Sequence, residues 1–390
     1  MHAELIAIGA ELLLGEITDT NSAHIARALR EIGLEVRWMS TVGDDVARAA
    51  ELVAHAARRS PIVITTGGLG PTVDDPAREA VARAFDRPLE YRPELWAQIE
   101  ERFRRFRRKP TENNRRQAHI PAGAIPLENP VGTAPAFIVE HEHGAVVALP
   151  GVPREMEYLL AHSVVPYLRE RFGLSGVIRA KVLRTVGLGE SMVDEKVGEF
   201  EKGANPAVGL LAHAGQVDIR ITAAAQTEAE ADALIAPVEA QIRARLGEFI
   251  YGEGKETVEE AAGRLLAERG MTVAVAESGA RGQLAARLAA APGAERFFLG
   301  GEPLSQNVKG PLQEAELVAE AERVRMERGA HWGLALSVVA AEGAHIEIAL
   351  TDGHQPETRS PSYGGHPAYA PLWASTAALN LLRLRLLRPT

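Results

Sequence analysis

Between Ile62 and Asp75 the chain passes from an apolar β-branched run into glycines and then into paired acids: Ile62-Val-Ile-Thr-Thr-Gly-Gly-Leu-Gly-Pro-Thr-Val-Asp-Asp75. Gly67, Gly68 and Gly70 let the backbone turn sharply and leave N–H groups free to hold an anion. Asp74 and Asp75 repel a bare phosphate unless a divalent cation accompanies it. The combination points to metal-assisted chemistry on a phosphate compound. A tight turn followed by a helix cap at Asp74 accounts for the same residues without any ligand. An earlier stretch, Gly9 to Asn21, carries Glu11 and the polar cluster Thr18, Asp19, Thr20 and Asn21 ahead of an apolar helix. A cap explains any one of these, and Asp19 stands out only because Asp74 and Asp75 are expected at the same rim.

The elements that must position these residues follow from periodicity. Leu5 to Ile8 reads as a strand; Ile25, Ala28, Leu29 and Ile32 recur at helical spacing; Gly33 stops that helix before a strand around Val36. Ile62 to Ile64 is the next strand, and Asp74 caps a helix carrying Ala80, Val81, Ala84 and Phe85. Alternating strands and helices predict a largely parallel, doubly wound α/β sheet with both loops opening on one edge, at the carboxyl ends of the strands. Two further turn-rich segments, Asn129 to Ala136 and Leu149 to Met156, bracket a strand pair whose hairpin turn is assigned to Gly144. Such loops gathered in one domain are more economically read as one shared site than as unrelated turns.

The run Arg102 to Lys109 is basic and holds Phe103 and Phe106. We read the two rings as the buried stripe of one helix, with the arginines solvated or turned to anions, rather than as a nucleic-acid surface. Asn114 and Gln117, just beyond, are expected to face the pocket.

From about Arg169 the character changes. Ala180 to Val186 and Val217 to Ala223 alternate as half-exposed strands, with helices at Glu190 to Phe200 and Glu228 to Leu246, giving a small α+β module. A third domain opens with Thr257 and Glu260 in capping-box positions. Its elements are a helix to Glu268, a strand from Thr272 to Ala276, the loop Glu277-Ser-Gly-Ala-Arg-Gly282, a helix to Ala290, and then Phe297 to Gly301. A tail from Gln355 to Pro371 has no clear period, and an apolar helix runs through Leu386. The domains are therefore 1–168, 169–251 and 252–390, a three-domain α/β chain.

The 390 residues are enough for two or three domains; 46% are hydrophobic and 24% charged, an ordinary globular composition. A formal net charge of −9 argues against general nucleic-acid affinity. With no cysteine, disulfides, thiolate metal sites and a cysteine nucleophile are excluded. Met1 to Gly9 fits an opening strand rather than a signal peptide, and no apolar run reaches membrane-spanning length, so we expect a cytoplasmic protein without membrane contact.

Taken together, these motifs resemble the competence/damage-inducible CinA family over almost the whole length, most strongly in the first domain. That family's Gly-Thr-Glu-Leu-Leu-x-Gly-x-x-x-Asp-Thr-Asn signature is matched by Gly9, Glu11, Leu12, Leu13, Gly15, Asp19, Thr20 and Asn21, with Ala10 in place of threonine. Its Gly-Gly-Leu-Gly-Pro-Thr-x-Asp-Asp is intact from Gly67 to Asp75, followed by Ala77 where a threonine is usual. Asn-Pro-x-Gly-Thr-Ala-Pro and Leu-Pro-Gly-x-Pro-x-Glu-Met are met at Asn129 to Pro135 and Leu149 to Met156.

The resemblance implies a molybdopterin-binding-like first domain with metal-dependent ADP-ribose pyrophosphatase activity. It implies a divalent metal (Mg, Mn or Co) on Asp19, Asp74 and Asp75, with Asp75, Asp19 and Glu11 catalytic. Gly67, Gly68, Gly70, Thr72, Asn21, Asn114, Thr133, Pro150, Gly151 and Glu155 would be substrate contacts. Asp75 is given the larger catalytic share because Asp74 is spent as a cap, and Asp75→Ala is expected to leave the fold intact. A homodimer is implied as well.

The last domain resembles a nicotinamide-mononucleotide deamidase whose pattern has decayed. The family loop Glu-Ser-Cys-Thr-Gly-Gly keeps only Glu277, Ser278 and one glycine here; a tyrosine is missing from Gly300 to Lys309, and Lys309 is out of register. The later Thr-Gly-x-Ala-Gly-Pro turn is replaced by Leu336 to Gly343. A serine stripped of its base and oxyanion donors loses orders of magnitude in rate, so the expected state is a structural or dimerising domain. Two alternatives stay open: a non-catalytic nucleotide- or molybdopterin-like binding protein, and a bifunctional enzyme in which Ser278 and Lys309 still act.

Overall fold

The computed structural model describes residues 1–304, 312–339 and 344–388 and divides into two compact units: Met1–Arg179 with Ala224–Asp232, and Ala180–Ala223 with Ala233 onward. In the first, the elements are β1 His2–Ile8, α1 Ala10–Leu13, α2 Thr20–Arg30, β2 Glu35–Val42, α3 Val46–Arg59, β3 Ile62–Thr66, α4 Ala77–Ala84, β4 Leu89–Tyr91 and α5 Pro93–Arg105. They continue with β5 His119–Pro121, β6 Ile125–Leu127, β7 Ala136–His141, β8 Gly144–Leu149, α6 Pro153–Leu159 and α7 Val165–Phe172. The main sheet has the order β2-β1-β3-β8-β7-β6. Its first four strands run parallel, β7 runs antiparallel to its hairpin partner β8, and the edge strand β6 pairs antiparallel with β7 and so runs with the first four.

The alternation of strand residues builds a core on each face. Ile6, Ile8, Val63 and Val146 pack with Val53, Ala80, Val81, Leu95 and Ile99 of α3, α4 and α5. Leu5, Ile62, Ile64 and Val147 pack with Ile25 and Leu29 of α2, Met156 and Leu159 of α6 and Leu168 of α7. Each fully buried aliphatic side chain of this kind contributes about 1.5–3 kcal/mol. Because the parallel strands are covered on both faces, their loops are free only at the two ends, and the carboxyl end carries the motifs.

Three local expectations need correction. Gly144 is not the hairpin turn: it opens β8 opposite His141, and Glu142 and His143 make the turn. A glycine is required there because a Cβ would lie 1.7 Å from the Pro61 carbonyl oxygen. Phe103 packs against the core, but Phe106 lies just past the end of α5, 59% exposed, with the Arg102 guanidinium over its ring. Finally, Asp74 caps nothing: Pro76 precedes α4 and provides no side-chain cap.

In the second unit the elements are β9 Val177–Val186, α8 Glu190–Val197, β10 Ala207–His213, β11 Gln216–Ala225, α9 Glu228–Leu246 and β12 Ile250–Glu253, of which the start of β9, the end of β11 and the start of α9 belong to the first unit. Their sheet has the order β10-β11-β9-β12. The helix expected to reach Phe200 ends at Val197 and passes into a short 3-10 turn. Then come α10 Val258–Glu268, β13 Val273–Ser278, α11 Gln283–Ala290, β14 Phe298–Pro303, α12 Glu314–Arg328, β15 Trp332–Val339, β16 His345–Thr351, β17 Glu357–Arg359 and α13 Ala370–Leu387, with the sheet order β14-β13-β15-β16-β17. Thr257 and Glu260 form the expected capping box on α10. Among the described residues no helix is long and apolar enough to cross a membrane.

Candidate active site

At the carboxyl end of the first unit's sheet, four motif loops and the β2–α3 turn line one cavity of about 550 Å³. Glu11, Asp19 and Asn21 come from the loop after β1, Asp44 from the turn after β2, and Gly67 to Thr72 with Asp74 and Asp75 from the loop after β3. Thr133 precedes β7, while Pro150, Gly151 and Glu155 follow β8.

The loop after β3 is shaped by close backbone approach. Gly67 has φ 101°, and a Cβ there would sit 2.1 Å from the Ile8 carbonyl oxygen, so only glycine lets β3 leave the sheet beside β1. Its amide donates to the Leu149 carbonyl at 3.0 Å, tying the loop to β8. Among the described residues the next two amides, of Gly68 and Leu69, take no intramolecular acceptor, which makes a small nest suited to an anion. Asp75 folds back over the loop: Oδ1 accepts from the Gly70 amide at 2.8 Å, and Oδ2 from the Thr72 amide at 2.7 Å and its hydroxyl at 2.5 Å. Beneath it Arg78, 2% exposed, donates to the Gly70 carbonyl at 2.6 Å, and burial pushes its pKa down.

Across the cavity, Asp19 caps α2 through Oδ1, which accepts from the Ser22 amide at 2.9 Å and leaves Oδ2 free. Asn21 joins the other two loops, its Nδ2 donating to Thr66 Oγ1 at 3.0 Å and to the Gly151 carbonyl at 2.8 Å. Its buried Oδ1 has no partner. Thr66 Oγ1 in turn donates to the Pro150 carbonyl at 3.1 Å. Glu155 Oε2 accepts from Asn129 Nδ2 at 2.5 Å, and burial raises its pKa against that stabilising bond. Gly132 must lack a Cβ, which would lie 1.9 Å from the Glu155 carboxyl carbon.

Every residue expected at a substrate or metal site of the first unit lines this cavity except Asn114. Asn114 lies behind the wall: its Oδ1 accepts from Thr111, and its Nδ2 donates to Gln117 Oε1, whose amide reaches the Leu69 carbonyl at 3.3 Å. It supports the glycine loop through Gln117, which does line the cavity. The sequence reading missed Asp44, whose Oδ2 accepts from the Ala10 amide at 3.1 Å, and Thr66. Both stand at strand carboxyl ends, the position that singled out the other loops.

Among the described residues no group of three or more histidine or carboxylate side chains is arranged to hold a metal ion. Both Asp75 oxygens and one of Asp19 are engaged, whereas the carboxylates of Glu11 and Asp74 make no hydrogen bond or ion pair among the described residues. This donor set suits an ion that keeps water ligands and takes phosphate oxygens from its substrate, as Mg²⁺ does, and not an all-protein cage.

In the second unit Glu277 is spent on structure, its carboxylate accepting from the amides of Ala285 at 2.9 Å and Leu284 at 3.3 Å. Ser278 ends β13 opposite Ser337, and among the described residues its hydroxyl makes no hydrogen bond. Lys309 lies outside the described residues.

Comparison with known proteins matches residues 4–170 to a family described as "probable molybdopterin binding domain", 180–252 to the damage-inducible protein CinA KH domain, and 255–303 to the CinA C-terminal domain. A competence-damage inducible protein of Halothermothrix orenii is 42% identical over 301 residues, covering 77% of this chain and 72% of the relative. One from Clostridium botulinum (strain 657) is 36% identical over 410 residues, covering 99% of this chain and 100% of its own. The crystal structure of the protein CinA of Thermoplasma acidophilum is 35% identical, covers 42% of this chain and 96% of that one, and has a TM-score of 0.40.

Proposed function

The chain belongs to the CinA family of competence-damage inducible proteins, and from that premise we propose that its first unit hydrolyses ADP-ribose or a related nucleotide pyrophosphate with the help of a divalent metal. The observation that carries this reading is the meeting of the glycine nest at Gly68 and Leu69 with the acids Glu11, Asp19 and Asp74 in one cavity. An anion cradle facing unspent carboxylates is what a diphosphate and its counter-ion require.

Asp19, Asp74 and, by giving up its loop bonds, Asp75 are the side chains that would hold the metal, and Glu11 stands with them as a further acid. The ion would offset phosphate charge and lower the pKa of a bound water. The chain's own contribution is orientation. The amides of Gly68 and Leu69 donate to phosphate oxygens, Asn21 and Thr66 fix the loops around the substrate, and Thr133, Pro150 and Gly151 form the opposite wall. Glu155, with Oε2 occupied by Asn129, holds a proton at Oε1 more readily than an exposed glutamate and is suited to hand it to the departing phosphate.

The test is AMP release from ADP-ribose by the purified chain with Mg²⁺, Mn²⁺ or Co²⁺ and with a chelator. Metal-dependent release supports the reading. Tight calorimetric binding of ADP-ribose without turnover replaces it with a non-catalytic binding protein, which the structural use of Asp75 and Asp19 favours as the second reading.

For the second unit we propose that deamidase chemistry is lost and the domain is retained as structure. The engaged Glu277 and a Ser278 hydroxyl without a partner among the described residues support this. Ammonia release from nicotinamide mononucleotide that is abolished by Ser278→Ala would refute it.

A further inference from the structure

The second unit holds a larger cavity, of about 1120 Å³, to which none of Glu277 to Gly282 contributes. Its walls are the turn from β9 to α8, the β10–β11 hairpin, the tail after β17 and one face of α13, and most of what they present is apolar. The tail without sequence period therefore has a structural use: Tyr363 lies against Trp373 of α13, ring centroids 5.3 Å apart at 48°, and both rings line the cavity.

Several polar groups on these walls are donors that meet no protein acceptor among the described residues. Asn380 is 8% exposed, and its Oδ1 accepts from Arg383 Nε at 3.1 Å and Nη2 at 2.9 Å. That fixes the amide orientation and leaves Nδ2 without an acceptor among the described residues. Gln216 is fixed likewise, because its Oε1 accepts from the Tyr251 hydroxyl at 2.6 Å and its Nε2 remains. His366 Nδ1 accepts from the Ala368 amide at 3.2 Å, which puts the ring proton on Nε2. On the other side of the balance stands His213, whose Nε2 faces Asp218 Oδ2 at 3.0 Å, leaving Nδ1 as an acceptor. Charge is mixed: Arg359 pairs with Glu357, which also pairs with Arg388, and Glu190 is the acid on the wall.

We propose that this cavity is a binding site for a planar heteroaromatic molecule rich in carbonyl and ring-nitrogen acceptors, stacked on Trp373 and Tyr363 and hydrogen-bonded by Asn380, Gln216 and His366. An acyl chain fits the apolar walls but gives the buried Asn380 amide no acceptor, which is costly. A multiply charged anion meets Glu190, and the lining Arg359 is already paired with Glu357. A ring system with carbonyls satisfies both the walls and the donors.

The experiment is titration of the full-length chain into riboflavin, whose emission an aromatic stack quenches, beside 1-anilinonaphthalene-8-sulfonate, an anionic dye that offers apolar rings but no carbonyl or ring-nitrogen acceptors. Riboflavin is expected to bind, and Gly189→Trp and Trp373→Ala each to weaken it by about tenfold or more, with Gln216→Leu weakening it by a smaller factor. Gly189 lines the cavity with φ −76°, and a Cβ there meets nothing within 4 Å. Its variant should therefore melt with the parent and cleave ADP-ribose as the parent does, so that a failure of this site is distinct from a failure of the first unit's. Absence of riboflavin quenching overturns the proposal. So does equal binding of the naphthalene dye with indifference to Gln216→Leu, which marks a merely apolar crevice.

Discussion

Asp75 and Asp19 are both motif acids on one cavity, yet they hold different amounts of structure. Asp75 accepts three hydrogen bonds from Gly70 and Thr72, so Asp75→Ala, expected to leave the fold intact, should do so only at a cost in stability. That variant should lose about 1–3 kcal/mol in urea unfolding along with AMP release, because the loop amides lose a charged acceptor. Asp19→Asn keeps a competent cap for Ser22 and removes only charge. It should unfold within about 0.5 kcal/mol of the parent while losing activity, and an Asp19→Asn enzyme with full turnover would take Asp19 out of the chemistry. Glu155 gives a pH test. Burial raises its folded pKa above the ordinary 4.5, so folding favours the protonated form. Its contribution to stability is complete below the unfolded value and is lost as pH rises through the folded one. Glu155→Gln keeps an oxygen for Asn129 without the charge. Its melting temperature should exceed the parent's at pH 8, and the gap should close as pH falls below about 4; a gap that is constant with pH contradicts the buried-carboxyl assignment.

At the scale of elements, the site exists because strands end where glycine lets neighbouring backbones touch. Gly67→Ala places a Cβ at φ 101° and 2.1 Å from the Ile8 carbonyl. It should destabilise by more than about 2 kcal/mol, read as a lower denaturation midpoint or as loss of soluble protein. An alanine variant as stable as the parent would show that the loop can move away from β1. Elements of this kind were legible where the signal is local: the strand–glycine–helix rhythm, the helix stop at Gly33, the capping box at Thr257. They were illegible where a distant carbonyl or side chain decides. Gly144 resembles a turn glycine, but its requirement comes from Pro61 on the approach to β3. Asp74 and Asp75 are indistinguishable by type, and Asp75 becomes the brace because the Gly70 and Thr72 amides face it. Asn114 has the polarity of a pocket residue and is used one layer behind, under Gln117. Strand β10 escaped notice because Ala207 to His213 is mostly exposed and lacks the apolar alternation that marks a half-buried strand.

At the scale of the whole molecule, both cores of the first unit draw only on residues from Ala3 to Leu174, and every wall of the candidate active site comes from Ala7 to Glu155. The unit also includes Ala224–Asp232. The ion pairs joining that segment to Arg179, with Glu228 and Asp232, are solvent-exposed, and exposed pairs contribute about 0–1 kcal/mol. A fragment of residues 1–175 should therefore fold on its own, because it carries complete packing on both faces of the sheet and ends beyond α7. It should unfold in a single cooperative transition and release AMP from ADP-ribose at a rate within about threefold of the full chain, a margin of about 0.7 kcal/mol in the barrier. Circular dichroism and the AMP assay on the same preparation decide the matter. A fragment that keeps native ellipticity and cooperative melting yet loses turnover by orders of magnitude would mean that the proposed pyrophosphate site is completed by residues beyond Ser175, and the first unit would not be self-contained. An inactive fragment that also fails to fold would instead locate the error in the stability argument, since the segment 224–232 would then contribute more than exposed ion pairs provide.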